Sequence, residues 1–367
     1  MIPVFSPKLS ISDILTVLSA MFKNEISGTS SVVKNFENKL AKFFDRKYAI
    51  ATSNGSVSLD VSFKLLNLEK NSEVILPSFT IISCLSAVIR AGLKPVFCDV
   101  DFNTWNMTLD SVKKVYSKNT RAVLIVHTYG LTGEVNEIVE FCREKKLKII
   151  EDAAEAHGQT IGKTKCGSIG DISTLSFYAN KHITTGEGGA ILTDDLEIYN
   201  MAKKMINLDF DNNNRFKHDN LYWNYRMGGL QAALGASQLK QVNKVIKNKI
   251  KQGENYIKLF KKHEIDVQLP LLSTQYSVNH FWVFGIVLNK KSNRNQITNE
   301  LEKAKIQTRP FFYPLHKQPA IAKKNSNKDI LLNSEILGER GFYIPLGKHI
   351  TKSKQEKVVL EIKRIIG

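Results

Sequence analysis

Short apolar runs alternate with amphipathic segments between residues 48 and 193. Each run is rich in β-branched or aromatic residues and ends in turn-forming residues, as strands do. The seven runs are YAIATSNG, EVILPSF, PVFCDVD, RAVLIVHTYG, LKIIEDAAEA, STLSFYAN and AILTDD. Strands that alternate with helices indicate an α/β fold, with a mainly parallel sheet and helices on both of its faces.

Two of the intervening segments have the apolar spacing of helices that bury one face. The residues on these faces are Val57, Val61, Leu65 and Leu68 in the first segment, and Val135, Ile138, Val139 and Cys142 in the second. The first helix begins directly after the turn SNG at residues 53 to 55. Its N-terminus is therefore expected at the carboxyl end of the first strand.

The pattern changes in the second half of the chain. The polar stretch LDFDNNNRFKHDN, at residues 208 to 220, predicts a long surface loop. The segment MGGLQAALGASQLKQVNKVIKNKIK then predicts a long helix, FWVFGIVL a strand and SKQEKVVLEIKRII a terminal helix. We place a domain boundary near residue 250, between a large domain of residues 1–250 and a smaller α/β domain of residues 251–367.

The composition, with 43% hydrophobic and 24% charged residues, is that of a soluble globular enzyme. The first residues lack the basic and apolar parts of a signal peptide, and no run is long enough to span a membrane, so we expect a cytoplasmic protein. The cysteines lack the CxxC spacing of a zinc site, so we expect reduced side chains in or near the core and no metal. They are Cys84, Cys98, Cys142 and Cys166.

The net charge of +17 favours anionic partners. The lysines are spread thinly over the chain, without the Arg-rich or aromatic-interleaved stretches that are typical of nucleic-acid binding. The charge alone does not choose among nucleic acid, a membrane surface and a phosphorylated substrate, and a solvated, lysine-rich surface is the favoured interpretation. We expect neither nucleic acid nor a membrane as a partner.

Candidate chemistry concentrates at the predicted carboxyl ends of strands, where open α/β sheets bind their ligands. Asp152 ends the strand KIIED, Gly55 and Ser56 open a helix after YAIAT, and Lys181 follows STLSFYA. Taken singly, these residues have ordinary readings as a turn residue, a helix start and a surface charge. Together they offer a helix N-terminus for a phosphate, to which Ser176 adds a hydroxyl, a carboxylate for a pyridine nitrogen and an amine for an aldehyde. The set indicates a site for pyridoxal 5'-phosphate.

Nine ordered segments carry a family resemblance: MIPVFSP, ATSNGSVSLD, EVILPSFT, KPVFCDVD, VHTYG, IIEDAAEAHG, STLSFYANKHITTGEGGAILTDD, NYRMGGLQAALGASQL and RPFFYPLH. In these segments the chain resembles the DegT-like sugar aminotransferases, and most of all their GDP-perosamine synthase branch. The resemblance implies the fold type I architecture of aspartate aminotransferase. That architecture has a large domain with a seven-stranded, mainly parallel sheet and a small C-terminal α/β domain.

The resemblance also implies roles for single residues. Lys181 would bind the cofactor covalently and serve as general acid and base, while Asp152 would pair with the pyridinium nitrogen. The residues that it places around the phosphate are Asn54, Gly55, Ser56 and Ser176. Asn224 would reach in from the neighbouring subunit, so a homodimer with shared active sites is expected.

Other residues of the same segments are expected to border the cofactor ring or the substrate. Glu155 stands near the position of the cofactor's phenolic oxygen. Ile81 stands where the family has a stacking aromatic, so that either an aliphatic face replaces the stack or Phe79 is repositioned. The residues expected to border the substrate are Glu187, Tyr225, Arg226, Arg309 and His316. A structural ion pair is the alternative for the two arginines, and a packed or surface histidine is the alternative for His157 and His316.

The expected activity is therefore transfer of the amino group of L-glutamate to a nucleotide-linked keto-deoxy sugar, for a capsule, O-antigen or similar glycan. A small phosphorylated ketone such as dihydroxyacetone phosphate is an alternative acceptor. A cofactor-dependent sugar dehydratase on the same fold and a regulatory protein are alternative classes. His182 stands where the perosamine branch has Thr, whereas a related dehydratase has His in place of the lysine itself. The retained Lys181 favours transamination.

Overall fold

A seven-stranded sheet is built from residues 48 to 193 in the computed structural model, which describes residues 1–210, 215–289, 292–322 and 330–366. The strands of this part of the chain are β1 (Tyr48–Thr52), β2 (Glu73–Pro77), β3 (Lys94–Cys98), β4 (Thr120–Val126), β5 (Lys148–Asp152), β6 (Thr160–Ile161), β7 (Thr164–Lys165), β8 (Ile172–Ser176) and β9 (Gly189–Thr193). β6 and β7 form a separate hairpin, and the seven others pair in the order β1, β9, β8, β5, β4, β2, β3. β9 is antiparallel to both neighbours and the remaining pairs are parallel. The seven predicted strands and the mainly parallel sheet are confirmed.

Helices cover both faces of this sheet because successive strand residues point to opposite sides. The helices are α1 (Ile11–Phe22), α2 (Ser31–Phe43), α3 (Gly55–Leu65), α4 (Ile82–Arg90), α5 (Leu109–Val115), α6 (Val135–Glu144) and α7 (Leu196–Met205). In β2, Ile75 packs into the same core as α2 and α6, whereas Val74 and Leu76 pack with α3 and α4. The predicted face of α3 was too long, because the helix ends at Leu65 and Leu68 follows it.

A long helix, α8 (Gly229–Lys262), joins the first sheet to a second one. The second sheet is antiparallel, with β10 (Val267–Gln268), β11 (Phe284–Leu288), β12 (Arg309–Pro310) and β13 (Gly341–Ile344) in the order β10, β11, β13, β12. The helices of this part are α9 (Arg294–Lys303), α10 (Pro319–Ala322), α11 (Leu332–Arg340) and α12 (Lys352–Ile366). The domain boundary predicted near residue 250 falls inside α8. This helix packs on α1 and α2 as well as on α12, so the boundary stays a prediction.

The start of the chain is attached to this second sheet. The N–H of Ile2 donates to the carbonyl of Lys305 (2.7 Å), and the N–H of Gln307 donates to the carbonyl of Ile2 (3.0 Å). The Ile2 side chain lies in one apolar cluster with Phe284 and Phe342. The first residues therefore belong structurally to the core formed by the last third of the chain.

Two further predictions concern the loop and the cysteines. Residues 208–210 and 215–220 of the predicted loop contain no helix or strand, and residues 211–214 lie outside the described residues. All four cysteines are free and buried, as predicted. Across the described ranges, no helix combines the length and the apolar character that crossing a membrane requires.

Candidate active site

Lys181 lies in the turn that connects β8 to β9. The N–H of Lys181 donates to the carbonyl of Tyr178 (2.9 Å), and the N–H of Thr185 donates to the carbonyl of Phe177 (2.9 Å), so the turn is closed on itself. The Lys181 side chain is 9% exposed, and its Nζ lies 3.3 Å from Oε1 of Glu155. Lys181 is therefore a buried amine at the carboxyl edge of the sheet and not a solvated surface charge.

Asp152 is the last residue of β5, next to β8 in the sheet. Its carboxylate accepts hydrogen bonds from the N–H of Ala154 (3.0 Å) and the thiol of Cys84 (3.5 Å). Burial raises the pKa of Asp152, while the Ala154 N–H and the positive charge of Lys181 act in the opposite direction. A positive charge brought against this carboxylate would compensate its burial. Sequence reasoning missed Cys84 because an isolated cysteine in an apolar helix predicts only a core position.

The carboxylate of Glu155 lies beside the amine of Lys181 and forms an ion pair with it. Its other oxygen, Oε2, accepts the N–H of Tyr129 (2.9 Å), which lies in the left-handed region at φ 61° in a short 3-10 turn after β4. Burial raises the pKa of the Glu155 carboxyl, whereas the charge of Lys181 and the N–H of Tyr129 act to lower it. The pair brings an acid and an amine together where a proton can be exchanged.

Trp282, two residues before β11, packs its indole ring over the amine of Lys181. Lys181 Nζ lies 3.9 Å from the centroid of the indole ring, a cation–π contact, and the indole N–H donates to the carbonyl of Asn180 (3.2 Å). Gly130 permits this approach, because a Cβ there would lie 2.9 Å from the backbone nitrogen of Trp282. Sequence reasoning missed this role of Trp282, since an aromatic residue in FWVFGIVL predicts a core strand position.

The N-terminus of α3 and the end of β8 form a second group of predicted residues. Asn54 caps the helix by accepting the N–H of Val57 (3.0 Å), and a Cβ on Gly55 would lie 2.8 Å from the Cβ of Ser176. The hydroxyl of Ser56 lies 2.7 Å from that of Ser83 on α4. The first N–H groups of a helix have no partner within it and point outward, so this group suits a phosphate.

Phe79 and Ile81 are the two residues considered for the face of the cofactor ring where the family has a stacking aromatic. Phe79 is fully buried, and its ring packs on Tyr129 at 5.8 Å and on Phe311 at 5.7 Å, which leaves it no freedom to move into the site. Ile81 precedes α4 and is 39% exposed. This packing argues against a repositioned Phe79, and the role of Ile81 stays a prediction.

Arg309 contacts an aromatic pair next to the site, whereas both ring nitrogens of His316 are held by other side chains. The guanidinium of Arg309 lies 5.2 Å from the Phe5 ring, which packs edge-on against Tyr178, three residues before Lys181. His316 has both ring nitrogens engaged, Nδ1 at 2.6 Å from the Ser78 hydroxyl and Nε2 at 3.2 Å from Oε1 of Glu335. These contacts favour the packed alternative for His316, and its role toward a substrate stays a prediction.

The remaining predicted residues are not brought against Lys181 within the described part of the single chain. Tyr225 stacks on Trp223 with ring centroids 5.5 Å apart, and Arg226 donates to the side chain of Asn207. Asn224 and Glu187 are exposed. His157 is buried, accepts the N–H of Ile183 (3.3 Å), and has its pKa lowered to about 3 by burial, so it is a neutral, packed histidine.

A buried trio, His127, Glu151 and Cys166, is the one group in the described ranges whose ligand atoms lie close enough together to consider a metal. Glu151, however, already accepts the N–H groups of Gly167 (2.6 Å) and Ile169 (2.9 Å), the hydroxyl of Ser173 and the ring of His127 (2.8 Å). Its oxygens are occupied by the loop that precedes β8. The trio is explained as the anchor of that loop.

Comparison with known proteins decides the class of this site. The model of the DegT/DnrJ/EryC1/StrS aminotransferase family matches residues 10–363. The chain belongs to this family. It is 33% identical to GDP-perosamine synthase of Escherichia coli O157:H7, over 94% of the chain and 93% of that protein. The aminotransferase TlmJ of Streptoalloteichus hindustanus superposes with a TM-score of 0.92 at 25% identity, covering 99% of this chain and 98% of that one.

A GDP-4-keto-6-deoxymannose-3-dehydratase, solved with bound GDP-perosamine, shares the fold with a TM-score of 0.89 at 24% identity, covering 99% of this chain and all of that one. The predicted family, fold and cofactor dependence are confirmed: the protein is a pyridoxal phosphate-dependent sugar aminotransferase.

The close packing at Gly55 leads to a first prediction for the aminotransferase. Gly55→Ala would place a methyl group against the Cβ of Ser176 and push β8 away from the start of α3. Overpacking of this kind costs about 1–3 kcal/mol, so the affinity for pyridoxal phosphate should fall by about tenfold or more. Fluorescence titration of the cofactor-free protein measures this affinity. An unchanged affinity in a variant that carries the alanine would show that the phosphate binds elsewhere.

The aminotransferase has a second buried lysine near the first. Lys249, on α8, is 7% exposed, and its Nζ donates to the carbonyl of Trp282 (2.8 Å). Burial lowers the pKa of Lys249 to about 7, and the charge of Lys181 acts in the same direction. Within the residues that the structure describes, no Asp or Glu pairs with this amine. Sequence reasoning missed Lys249 because it lies in a lysine-rich helix.

The lowered pKa of Lys249 predicts a pH-dependent stability. The folded side chain loses its proton near pH 7, whereas the unfolded one keeps it to about pH 10.4. The unfolded state therefore binds more protons in this window, and the free energy of unfolding should rise with pH by up to about 1.4 kcal/mol per unit. The Lys249→Gln variant should have a higher free energy of unfolding than the unmodified protein at pH 7. This difference should disappear toward pH 10. Denaturant unfolding measures both, with the exposed Lys247→Gln as the control that shows no such trend.

Proposed function

We propose that the protein transfers the amino group of L-glutamate to the ketone of a nucleotide-linked keto-deoxy sugar, in the synthesis of a bacterial surface polysaccharide such as a capsule or O-antigen. The observation that carries the proposal is the placement of Lys181 against Glu155 (3.3 Å), beside the buried Asp152 at the carboxyl edge of the sheet. The similarity to GDP-perosamine synthase over 94% of the chain supports a sugar of that class.

The residues at this edge fit pyridoxal 5'-phosphate. A helix N-terminus without a side chain at Gly55 suits the phosphate, and the buried carboxylate of Asp152 needs a positive partner. We assign Asn54, Gly55, Ser56 and Ser176 to the phosphate, with Ile81 and Glu155 bordering the ring. When bound, the cofactor supplies an electron sink that allows the C–H bond beside an amine to lose its proton.

The side chains of this chain then divide the work. In the first half-reaction Nζ of Lys181 would take the proton from the Cα of glutamate and pass it to the bound cofactor. In the second half-reaction it would move a proton in the reverse direction, to the former carbonyl carbon of the keto sugar. Glu155 and the indole face of Trp282 hold this amine in place. The carboxylate of Asp152 stabilises positive charge opposite it, so electron density is drawn away from the reacting carbon. The sum is glutamate plus keto sugar giving 2-oxoglutarate plus amino sugar.

The first experiment is a half-reaction on the purified protein loaded with pyridoxal phosphate. L-glutamate should convert the visible absorption of the bound cofactor to that of its amino form, with release of one equivalent of 2-oxoglutarate. The loaded protein is then offered a nucleotide-linked 4-keto-6-deoxy sugar and, separately, dihydroxyacetone phosphate. An amino sugar product supports the proposal, whereas reaction with dihydroxyacetone phosphate alone changes the acceptor. Loss of a sugar hydroxyl without a stable amine would establish a dehydratase.

We also propose a homodimer that shares its active sites and works in the cytoplasm. α1 exposes large apolar side chains: Ile11, Leu15 and Phe22 are 76%, 60% and 85% exposed, which a partner surface would cover. Asn224 is exposed near the start of α8 and is free to reach a neighbouring subunit. Four free, buried cysteines suit a reducing compartment. Light scattering of the eluted protein should give twice the mass of the 41.4 kDa chain.

A further inference from the structure

A cavity beside Lys181 has a wall of positive charge. It lies between the N-terminal segment, the turn after β8, α8 and the segment after β13. Four lysines line it, namely Lys8, Lys181, Lys249 and Lys348, and none of the described lining residues is Asp or Glu. His182, also in the wall, has its pKa lowered well below the ordinary value by burial, with the charge of Lys249 acting the same way. The positive charge therefore belongs to the lysines.

The four lysines differ in depth. Lys8 and Lys348 are exposed and lie side by side at the mouth, where Nζ of Lys348 donates to the carbonyl of Lys8 (3.4 Å). Lys249 is buried inside, and the side chain of Lys181 is 9% exposed. Charges arranged from the rim to the interior raise the local concentration of an anion and direct it inward.

The interior amine of Lys249 is incompletely satisfied. An ammonium group has three N–H donors, and the carbonyl of Trp282 takes one of them. Lys181 has the carboxylate of Glu155, but Lys249 has no such partner among the described residues. The charged form of a buried amine without a counter-ion is costly, so such an amine beside the reactive lysine points to an anion supplied from outside, which would stabilise the charged form.

We propose that Lys249 binds an anionic group of the molecule that reacts at Lys181, with Lys8 and Lys348 guiding that group into the cavity. The inference rests on the proposed function, because it takes Lys181 as the reacting amine. The ligand group is a carboxylate or a phosphate. Its two sources are the distal carboxylate of the amino donor and the phosphates of a nucleotide-linked acceptor. The cavity holds about 70 Å³, which is more than a single water molecule requires.

The test is calorimetric titration of the pyridoxal phosphate-loaded protein with 2-oxoglutarate and, separately, with inorganic pyrophosphate. Lys249→Gln keeps a donor for the carbonyl of Trp282 but removes the charge. Its affinity for one of the two anions should be at least about tenfold lower than that of the unmodified protein. Lys249→Arg should bind that anion within about threefold of the unmodified protein. Lys247→Gln removes an exposed lysine two residues away on α8 and should change neither affinity.

The outcomes separate the sources. If Lys249→Gln binds 2-oxoglutarate more weakly, Lys249 binds the distal carboxylate of the amino donor. If it binds pyrophosphate more weakly, Lys249 binds the phosphates of the acceptor. Equal affinities of Lys249→Gln and the unmodified protein for both anions, or no binding of either anion by the unmodified protein, overturn the proposal. Should the glutamine variant not fold, a crystal structure of the unmodified protein with each anion decides: an anion oxygen bonded to Lys249 Nζ supports the proposal, and binding elsewhere overturns it.

The failure of the proposed function would be seen differently. A protein that does not convert its cofactor with L-glutamate fails as a glutamate aminotransferase, whatever Lys249 binds. If it does convert, Lys249→Gln at saturating glutamate should retain kcat and show a raised KM for the molecule whose anion it has lost.

Discussion

Lys181→Ala is expected to abolish covalent attachment of pyridoxal phosphate and the transfer of the amino group. The alanine has no amine to bond to the cofactor or to carry a proton, and Glu155 loses the cation that offsets its burial. Mass spectrometry after borohydride reduction measures the attachment, and release of 2-oxoglutarate from glutamate measures the transfer. The exposed Lys163→Ala should keep both signals. A Lys181→Ala protein that still gained the mass of the reduced cofactor would show that another lysine forms the bond.

Lys181→Arg adds a second control to this first prediction. It keeps the positive charge beside Glu155 and the cation–π contact with Trp282, but its guanidinium cannot replace the amine as a nucleophile. We expect it to retain the folded stability that the alanine variant loses and to remain inactive. Activity lost in both variants, with stability lost in only one, separates the chemical role of Lys181 from its role in packing.

Asp152→Asn should lower kcat by about two to three orders of magnitude while leaving the cofactor bound. The amide has the shape of the carboxylate and can accept the N–H of Ala154, but it cannot stabilise a positive charge on the ring. The residues assigned to the cofactor's phosphate lie on other elements than Asp152. The affinity for the cofactor should therefore change far less than kcat. Single-turnover kinetics with glutamate measures the step directly.

The exposed Asp110→Asn serves as the control for the Asp152 variant, since it removes the same charge far from the site. The opposite pattern would contradict the assigned role of Asp152: an unaffected turnover in Asp152→Asn, or a loss explained entirely by lost cofactor, would mean that this carboxylate only caps the loop after β5.

The elements that depend on local pattern were predictable from the sequence. The seven apolar runs became the strands of the first sheet because a strand buried on both faces needs a continuous apolar stretch. The long helix after residue 228 followed from its apolar spacing. Strand direction was harder to predict, because AILTDD reads the same in either orientation. β8 and β9 are neighbours joined by residues 177–188 without a crossover helix, and such a connection makes β9 antiparallel to β8.

Contacts between distant segments were not predictable in the same way. Trp282 is 101 positions from Lys181, and its ring meets that amine only because Gly130 lacks a side chain where the two parts approach. Lys249 is one of several lysines on α8, and the lysines nearest to it in the sequence are exposed. Its burial depends on which face of α8 the second sheet covers. Such residues acquire their role from the packing of two sheets, which the spacing within one segment does not encode.

The attachment of Ile2 to Lys305 and Gln307 has a consequence for the order in which the chain folds. Ile2 finds its backbone partners only after about three hundred further residues have been synthesised. Contacts this distant in sequence form slowly, since a long loop must close before they add stability. We expect the first sheet to assemble during synthesis and the second to stay incomplete until β13 is made and the segment around Ile2 docks on it. Until then the second sheet exposes apolar surface, so this is the stage at which we expect the nascent chain to be most prone to aggregation.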